Sequence, residues 1–237
     1  MPLNNSIQLL AFDADDTLWV NEPFYREAEQ QLVEMLRSYE NGETLMERLY
    51  ARELENLKIF GYGAKGFALS MIETAIELTN GQISGKEIQQ IIELGKGLLR
   101  RPIELLPGVR ETIELLSQKY PLMLITKGDL FDQESKIARS GLADFFKYIE
   151  IVSEKNSSVY QKVLDKYAVD PNNFIMIGNS LKSDVLPIVK LGGSAVHIPY
   201  HTTWVHERVS EQEQDEHAYE TLASIRELPQ LLKRMAT

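Results

Sequence analysis

The apolar and polar positions of this chain fall into two regimes. Ile7–Phe12 is a short apolar stretch with no regular polar alternation, and it breaks into Asp13, Asp15, Asp16 and Thr17. Such a stretch is the pattern of a strand buried on both faces of a parallel sheet. Four more segments predict strands: Leu122–Thr126, Lys147–Val152, Phe174–Ile177 and Ala195–Ile198. From Asn21 to about Arg100 the period is helical instead. A first helix starts at Asn21-Glu22-Pro23, with Asn21 as cap and proline in the first turn, and runs to about Tyr39. A second spans Glu43 to Lys58, with Leu45, Leu49 and Leu57 at helical spacing. A third covers Lys65 to Thr79, and a fourth opens on a capping box, Ser84 with Glu87.

Beyond Pro107-Gly108 helices and strands alternate, with helices expected to Gln118, over Leu130–Ser140 and over Ser157–Tyr167. Alternation of this kind predicts a parallel sheet with right-handed crossovers. The expected architecture is α/β: a doubly wound parallel sheet over 1–20 and 102–237, with an inserted all-helical cap over 21–101. Ligands in such sheets sit beyond the carboxyl ends of the strands, which delivers Asp13 and Asp15 to that crevice. Carboxylates so close together repel unless a cation, a proton or donors compensate them.

Composition narrows the function classes. The 237 residues are 43% hydrophobic, enough for a core, and no run approaches the ~20 apolar residues of a membrane span. The start MPLNNSIQLL has neither the basic beginning nor the long apolar centre of a signal peptide, so a soluble cytoplasmic protein is expected. Zero cysteines exclude disulfides and thiolate metal sites, and the glycosylation triplets Asn4-Asn5-Ser6 and Asn156-Ser157-Ser158 mean nothing without secretion. A formal charge of −10 argues against nucleic acid as the main partner.

Asp13-Ala14-Asp15-Asp16-Thr17-Leu18 resembles the first signature of the haloacid dehalogenase superfamily of phosphotransferases, Asp-x-Asp-x-Thr after the first strand. The resemblance implies that Asp13 is the nucleophile that takes up the phosphoryl group and that Asp15 is the general acid and base. Leu124-Ile125-Thr126-Lys127-Gly128 looks like the second signature, which would set the Thr126 hydroxyl on the phosphoryl group and leave room at Gly128 for its oxygens. Lys155, after the third strand, stands where the family keeps a charge-neutralising lysine, with Asn156 in place of the usual proline; Lys127 and Lys162 compete for that role. Gly178-Asn179-Ser180-Leu181-Lys182-Ser183-Asp184 resembles the fourth signature, with Asn179 where an aspartate is usual. In the family these acids hold magnesium with the nucleophile and a main-chain carbonyl, so Asp13, Asp15, Asn179 and Asp184 are the expected ligands. Asn179 supplies an oxygen but no charge, and Asp184 is the firmer metal ligand.

The implied function is magnesium-dependent hydrolysis of a small phosphorylated metabolite through an aspartyl-phosphate. A phosphomutase would use the same two aspartates. A non-catalytic binding or regulatory protein is the alternative that Asn179 and Asn156 support, and Asp15 counts against a dehalogenase. Two patterns are decoys. Gly61-Tyr62-Gly63-Ala64-Lys65-Gly66 spells a dinucleotide fingerprint, but no strand precedes it and Ile83 stands where an acid is needed. It reads better as a cap loop that offers Tyr62 and Lys65 to the substrate. His197, His201 and His206 match no helical zinc spacing, and packing or surface roles are expected for them.

Overall fold

A computed structural model describes residues 7–202, 204, 207 and 218–235. His206 and the Asn4-Asn5-Ser6 triplet lie outside the described residues. Six strands, β1 (Leu9–Phe12), β2 (Leu122–Lys127), β3 (Tyr148–Val152), β4 (Phe174–Gly178), β5 (Ser194–His197) and β6 (Glu220–Thr221), form one sheet in the order β3-β2-β1-β4-β5-β6. Every neighbouring pair is parallel. The chain winds outward from β1 through β2 to β3, then returns to the other side of β1 at β4. The strand order therefore reverses between β1 and β4, the place where sheets of this kind bind ligands.

All four β1 side chains are buried because the pleat sends them alternately to two cores. Leu10 and Phe12 join Val109, Ile113 and Leu116 of α5 (Val109–Ser117) and Leu228, Leu231 and Leu232 of the last described helix, Leu228–Met235. Leu9 and Ala11 join Tyr160, Val163 and Leu164 of α7 (Ser157–Tyr167) on the other face. Fully burying a Leu or Phe contributes about 1.5–3 kcal/mol, so this strand is anchored from both sides. Neither β6 nor the last helix was expected from the sequence. β6 is two residues long and exposed, too short for a period to show.

The chain divides into two compact units: Met1–Glu22, Ile103–Lys127 and Ser135–Thr237 in one, Pro23–Pro102 and Gly128–Glu134 in the other. The short segment after β2 thus groups with the helices, which pattern alone does not indicate. The helical unit is built from α1 (Glu22–Leu36), α2 (Gly42–Phe60), α3 (Ala64–Leu78) and α4 (Gly85–Arg100) around Leu32, Leu36, Leu45, Leu49, Met71 and Ile91. Ser84 and Glu87 close the capping box as the sequence indicates.

Two details of α1 differ from expectation. It ends at Leu36, before Tyr39. Its cap is not the Asn21 side chain, whose oxygen accepts from Lys136 (2.8 Å). The Asp16 carboxylate caps it instead, accepting from the N–H groups of Asn21 (2.9 Å) and Glu22 (2.9 Å). A left-handed backbone at Asp16 (φ 61°) lets the chain turn back for this.

Candidate active site at the carboxyl ends of the strands

Because β1 to β4 are parallel, the segments after them emerge on one edge of the sheet. Asp13 follows β1 with its N–H donating to the Ile177 carbonyl (2.9 Å), which locks the strand end against β4. Asp13 is 7% exposed, and its carboxylate takes two donors. Lys155 Nζ donates to Oδ1 (2.5 Å) and the Thr17 hydroxyl to Oδ2 (2.8 Å). Burial raises the Asp13 carboxyl to about 7, Asp184 nearby adding to the rise and the Lys155 ammonium opposing it. The same burial would deprotonate Lys155, but Asp13 and Asp184 outweigh it and hold the ammonium well above its usual value.

Lys155 also donates to Asp184 Oδ1 (2.8 Å), so one cation joins two carboxylates from opposite sides of the sheet centre. Lys155 and not Lys162, which is exposed on α7, is the lysine on Asp13. The missing proline beside it has a local reason. Asn156 caps α7, its side chain accepting from the Val159 N–H (3.0 Å).

Asp184 sits in a π-helical turn, Leu181–Val185, a rare local geometry that recurs at functional sites. Its Oδ2 accepts from the Ser180 N–H (3.0 Å). Gly178 makes this approach possible, since a Cβ there would lie 2.2 Å from that Oδ2. Tyr160, fully buried, donates its hydroxyl to the Ser183 carbonyl (3.0 Å) and supports the turn from below. Asn179 is tied to the first signature: its N–H donates to Thr17 Oγ1 (3.0 Å), and the Thr17 hydroxyl lies 3.1 Å from Asn179 Oδ1.

Asp15 has partners that the sequence does not announce. Lys136, on α6 (Leu130–Ser140), donates to both its oxygens (3.0 and 3.1 Å), and the buried Trp19 indole donates to Oδ1 (2.7 Å). Thr126 is buried at the end of β2. Lys127 reaches Ser183 Oγ (2.9 Å) and pairs with Glu207. Gly128 has φ +153°, and a Cβ there would lie 2.8 Å from the Gln133 side chain.

Tyr62 and Lys65 belong to the helical unit; Tyr62 lies in the loop between α2 and α3, whereas Lys65, expected in that loop, is in the first turn of α3. Lys65 pairs with Asp129 (2.8 Å) and lies over the Phe131 ring. Two of the histidines are described. His201 is exposed beside Tyr200. His197 does more than pack: its ring nitrogen donates to the Asn179 carbonyl (3.1 Å), and burial lowers its pKa below the ordinary imidazole value.

Among the described residues no cluster of three or more His, Cys, Asp or Glu side chains is arranged to hold a metal ion. The expected magnesium ligands differ from such a cluster. They are two carboxylates, Asp13 and Asp184, with the Asn179 amide oxygen and the Asp15 main-chain carbonyl. All are hard oxygens, the two carboxylates are buried with a single ammonium between them, and magnesium accepts one or two carboxylates of this kind. The donor chemistry fits.

Residues 7–192 match the family model described as a haloacid dehalogenase-like hydrolase. A crystal structure of a haloacid dehalogenase-like family hydrolase from Xanthomonas campestris is similar at a TM-score of 0.87 and 43% identity, over 98% of this chain and 93% of that one. The glyceraldehyde 3-phosphate phosphatase of Methanothermobacter thermautotrophicus is 26% identical over 80% of this chain and 84% of its own length. Its Pyrococcus furiosus namesake is 32% identical over 100 residues, 40% of this chain and 42% of that protein. The family match begins at the foot of β1 and runs past Asp184, taking in the strand ends that carry Asp13, Thr126, Lys155 and Asn179. The chain belongs to the haloacid dehalogenase-like hydrolase family.

Proposed function

We propose that the chain is a magnesium-dependent phosphomonoester hydrolase that acts on a small phosphorylated metabolite through an aspartyl-phosphate on Asp13. The observation that carries this reading is the ammonium of Lys155 between Asp13 and Asp184 at the reversal of strand order. The phosphatase relatives support the choice of phosphate ester. An Asp13 carboxylate oxygen attacks phosphorus, and the ester P–O bond breaks in line with it. Asp15 gives its proton to the departing alkoxide, then takes one from a water whose oxygen attacks the same phosphorus. The Asp13–phosphorus bond breaks, which releases inorganic phosphate and restores the carboxylate. Lys155 offsets the charge that carboxylate and phosphate bring together, and the Thr126 hydroxyl orients a phosphoryl oxygen. Magnesium, held by Asp13, Asp15, Asn179 and Asp184, would neutralise phosphoryl charge when bound. Lys136 and Trp19 bond the Asp15 carboxyl oxygens, so turning the carboxyl to the leaving group requires that this pairing loosen.

Tyr62 and Lys65, with Lys127 and Gly128, complete the proposed substrate contacts. Among the described residues no helix is long and apolar enough to cross a membrane. Rapid acid quench of the enzyme with a 32P-labelled phosphomonoester tests the reading. Label should appear on the protein of wild type, stable to acid and lost at alkaline pH, and be absent from Asp13→Asn. Turnover by Asp13→Asn at a rate near wild type would refute it.

A further inference from the structure

β2 pairs with β1 and β3, and β4 with β1 and β5. The two strands that flank the nucleophile's strand therefore stand apart, by about 9–10 Å at ordinary strand spacing. A side-chain network joins their ends across β1. Lys127 Nζ, at the end of β2, donates to Ser183 Oγ (2.9 Å) and to Glu207 Oε1. Glu207 Oε2 accepts from the Ser183 hydroxyl (2.6 Å) and from the Ser180 hydroxyl. Ser180 Oγ in turn accepts from the Ser183 N–H (3.0 Å).

One carboxylate thus gathers three donors from two loops. Its side chain is 11% exposed, and that of Lys127 is 15% exposed. Charge-assisted bonds of this kind are roughly twice as strong as neutral ones and are screened little when buried. Burial disfavours the Glu207 carboxylate, but Lys127 and the two serines outweigh it and keep the group ionised.

The turn that Glu207 holds is the turn that carries Asp184. Ser183 precedes Asp184 in the chain, and Ser180 donates its N–H to Asp184 Oδ2. Asp184 Oδ1 receives Lys155, and Lys155 bonds Asp13. On the other side, Lys127 directly follows Thr126. We propose that Glu207 is a positioning residue of the phosphoryl-transfer site. Its carboxylate clamps Lys127 to the Ser180–Ser183 turn and fixes Thr126 and Asp184 on the two sides of Asp13. The inference rests on the phosphatase reading, and it reassigns Lys127 from substrate contact to clamp.

One set of assays tests it: steady-state kinetics of wild type, Asp13→Asn, Glu207→Ala and Glu207→Gln on a phosphomonoester, with melting temperatures and with added formate or acetate. A misplacement of about 1 Å can cost on the order of 10²-fold in rate, so Glu207→Ala should lose about ten- to a hundred-fold in kcat. Its KM should change less than about three-fold, since Glu207 acts through other residues and not on substrate. Formate or acetate, a free carboxylate for the vacated donors, should restore part of kcat in a saturable way and leave wild type unaffected. Glu207→Gln keeps the volume without the charge; it should lose kcat less severely and resist rescue. Wild-type kcat in Glu207→Ala overturns the proposal. A lowered kcat that neither carboxylate improves overturns it too, because a fall in melting temperature alone would then account for the loss. If the alanine variant does not fold, Glu207→Gln decides: reduced kcat at unchanged KM supports the clamp, and wild-type kcat refutes it. Turnover by Asp13→Asn sinks the phosphatase reading itself, and that result is separate from any seen at Glu207.

Discussion

A Cβ at Gly178 would lie 2.2 Å from Asp184 Oδ2 and 2.3 Å from its carboxyl carbon, so even alanine must displace that carboxylate. Gly178→Ala should therefore act on chemistry more than on folding. Overpacking costs about 1–3 kcal/mol, whereas a displaced Asp184 shifts the lysine on the nucleophile. Expected are a kcat lowered by about ten-fold or more and a modest loss in denaturant midpoint; wild-type kcat would show that the position of Asp184 does not matter. Asp15 permits a second test at this scale. Asp15→Asn should slow alkyl phosphates more than activated aryl phosphates, which depart without a proton, by up to about 10²–10⁴. Lys136→Met should alter the same alkyl-to-aryl ratio, because it removes the ammonium that orients Asp15. Equal losses on both esters in Asp15→Asn would remove it from acid–base work. Asp13, Lys155 and Asp184 were legible because each belongs to a short pattern beside a strand end. Lys136 was not, since its bond to Asp15 spans 121 positions and no local pattern marks it. Glu207 was hidden for the same reason, and Thr17 was read as part of a signature without its bond to Asp13.

The helices that the sequence predicts were legible to within a few residues, because period and capping residues are local; Leu186–Val189 and Leu228–Met235 were not. The identity of the α1 cap was not: Asp16 reaches it only through a left-handed turn that the spelling Asp-Asp-Thr does not specify. Within the helical unit the telling side chain is Glu29 on α1. It is 5% exposed and bonded to Arg26 (2.8 Å), yet burial raises its pKa to about 7, with Arg26 opposing and Glu53 reinforcing the rise. Unfolded, it would titrate near the ordinary glutamate value of 4.5. Between those values the unfolded chain has lost the proton and the folded one keeps it, so this group's contribution to stability falls as pH rises from 4.5 towards 7. At ~1.4 kcal/mol per unit the ceiling is ~3 kcal/mol. Glu29→Gln removes the titration. Its stability relative to wild type, from urea unfolding at pH 5 and pH 8, should improve at the higher pH. A pH-independent difference would mean that Arg26 keeps Glu29 ionised throughout.

At the scale of the whole molecule the proposed function divides the labour: chemistry in the sheet-containing unit, substrate recognition from Tyr62 and from Lys65 at the start of α3. Lys65→Ala should then raise KM for the natural substrate several-fold while leaving a small aryl phosphate nearly untouched, because a uniform binding contact affects KM and not kcat. The doubly wound sheet was legible from alternation alone. The grouping of Gly128–Glu134 with the helices was not, because it depends on tertiary contact. One further property follows from the burial of Trp19, whose indole donates to Asp15. The chain has two tryptophans, Trp19 and Trp204. Replacing Trp204 with phenylalanine would leave a single fluorophore bonded to the proposed acid–base group. Its emission would then report, without any label, when Asp15 gains a proton or lets go, and stopped-flow fluorescence could time that event within a single turnover.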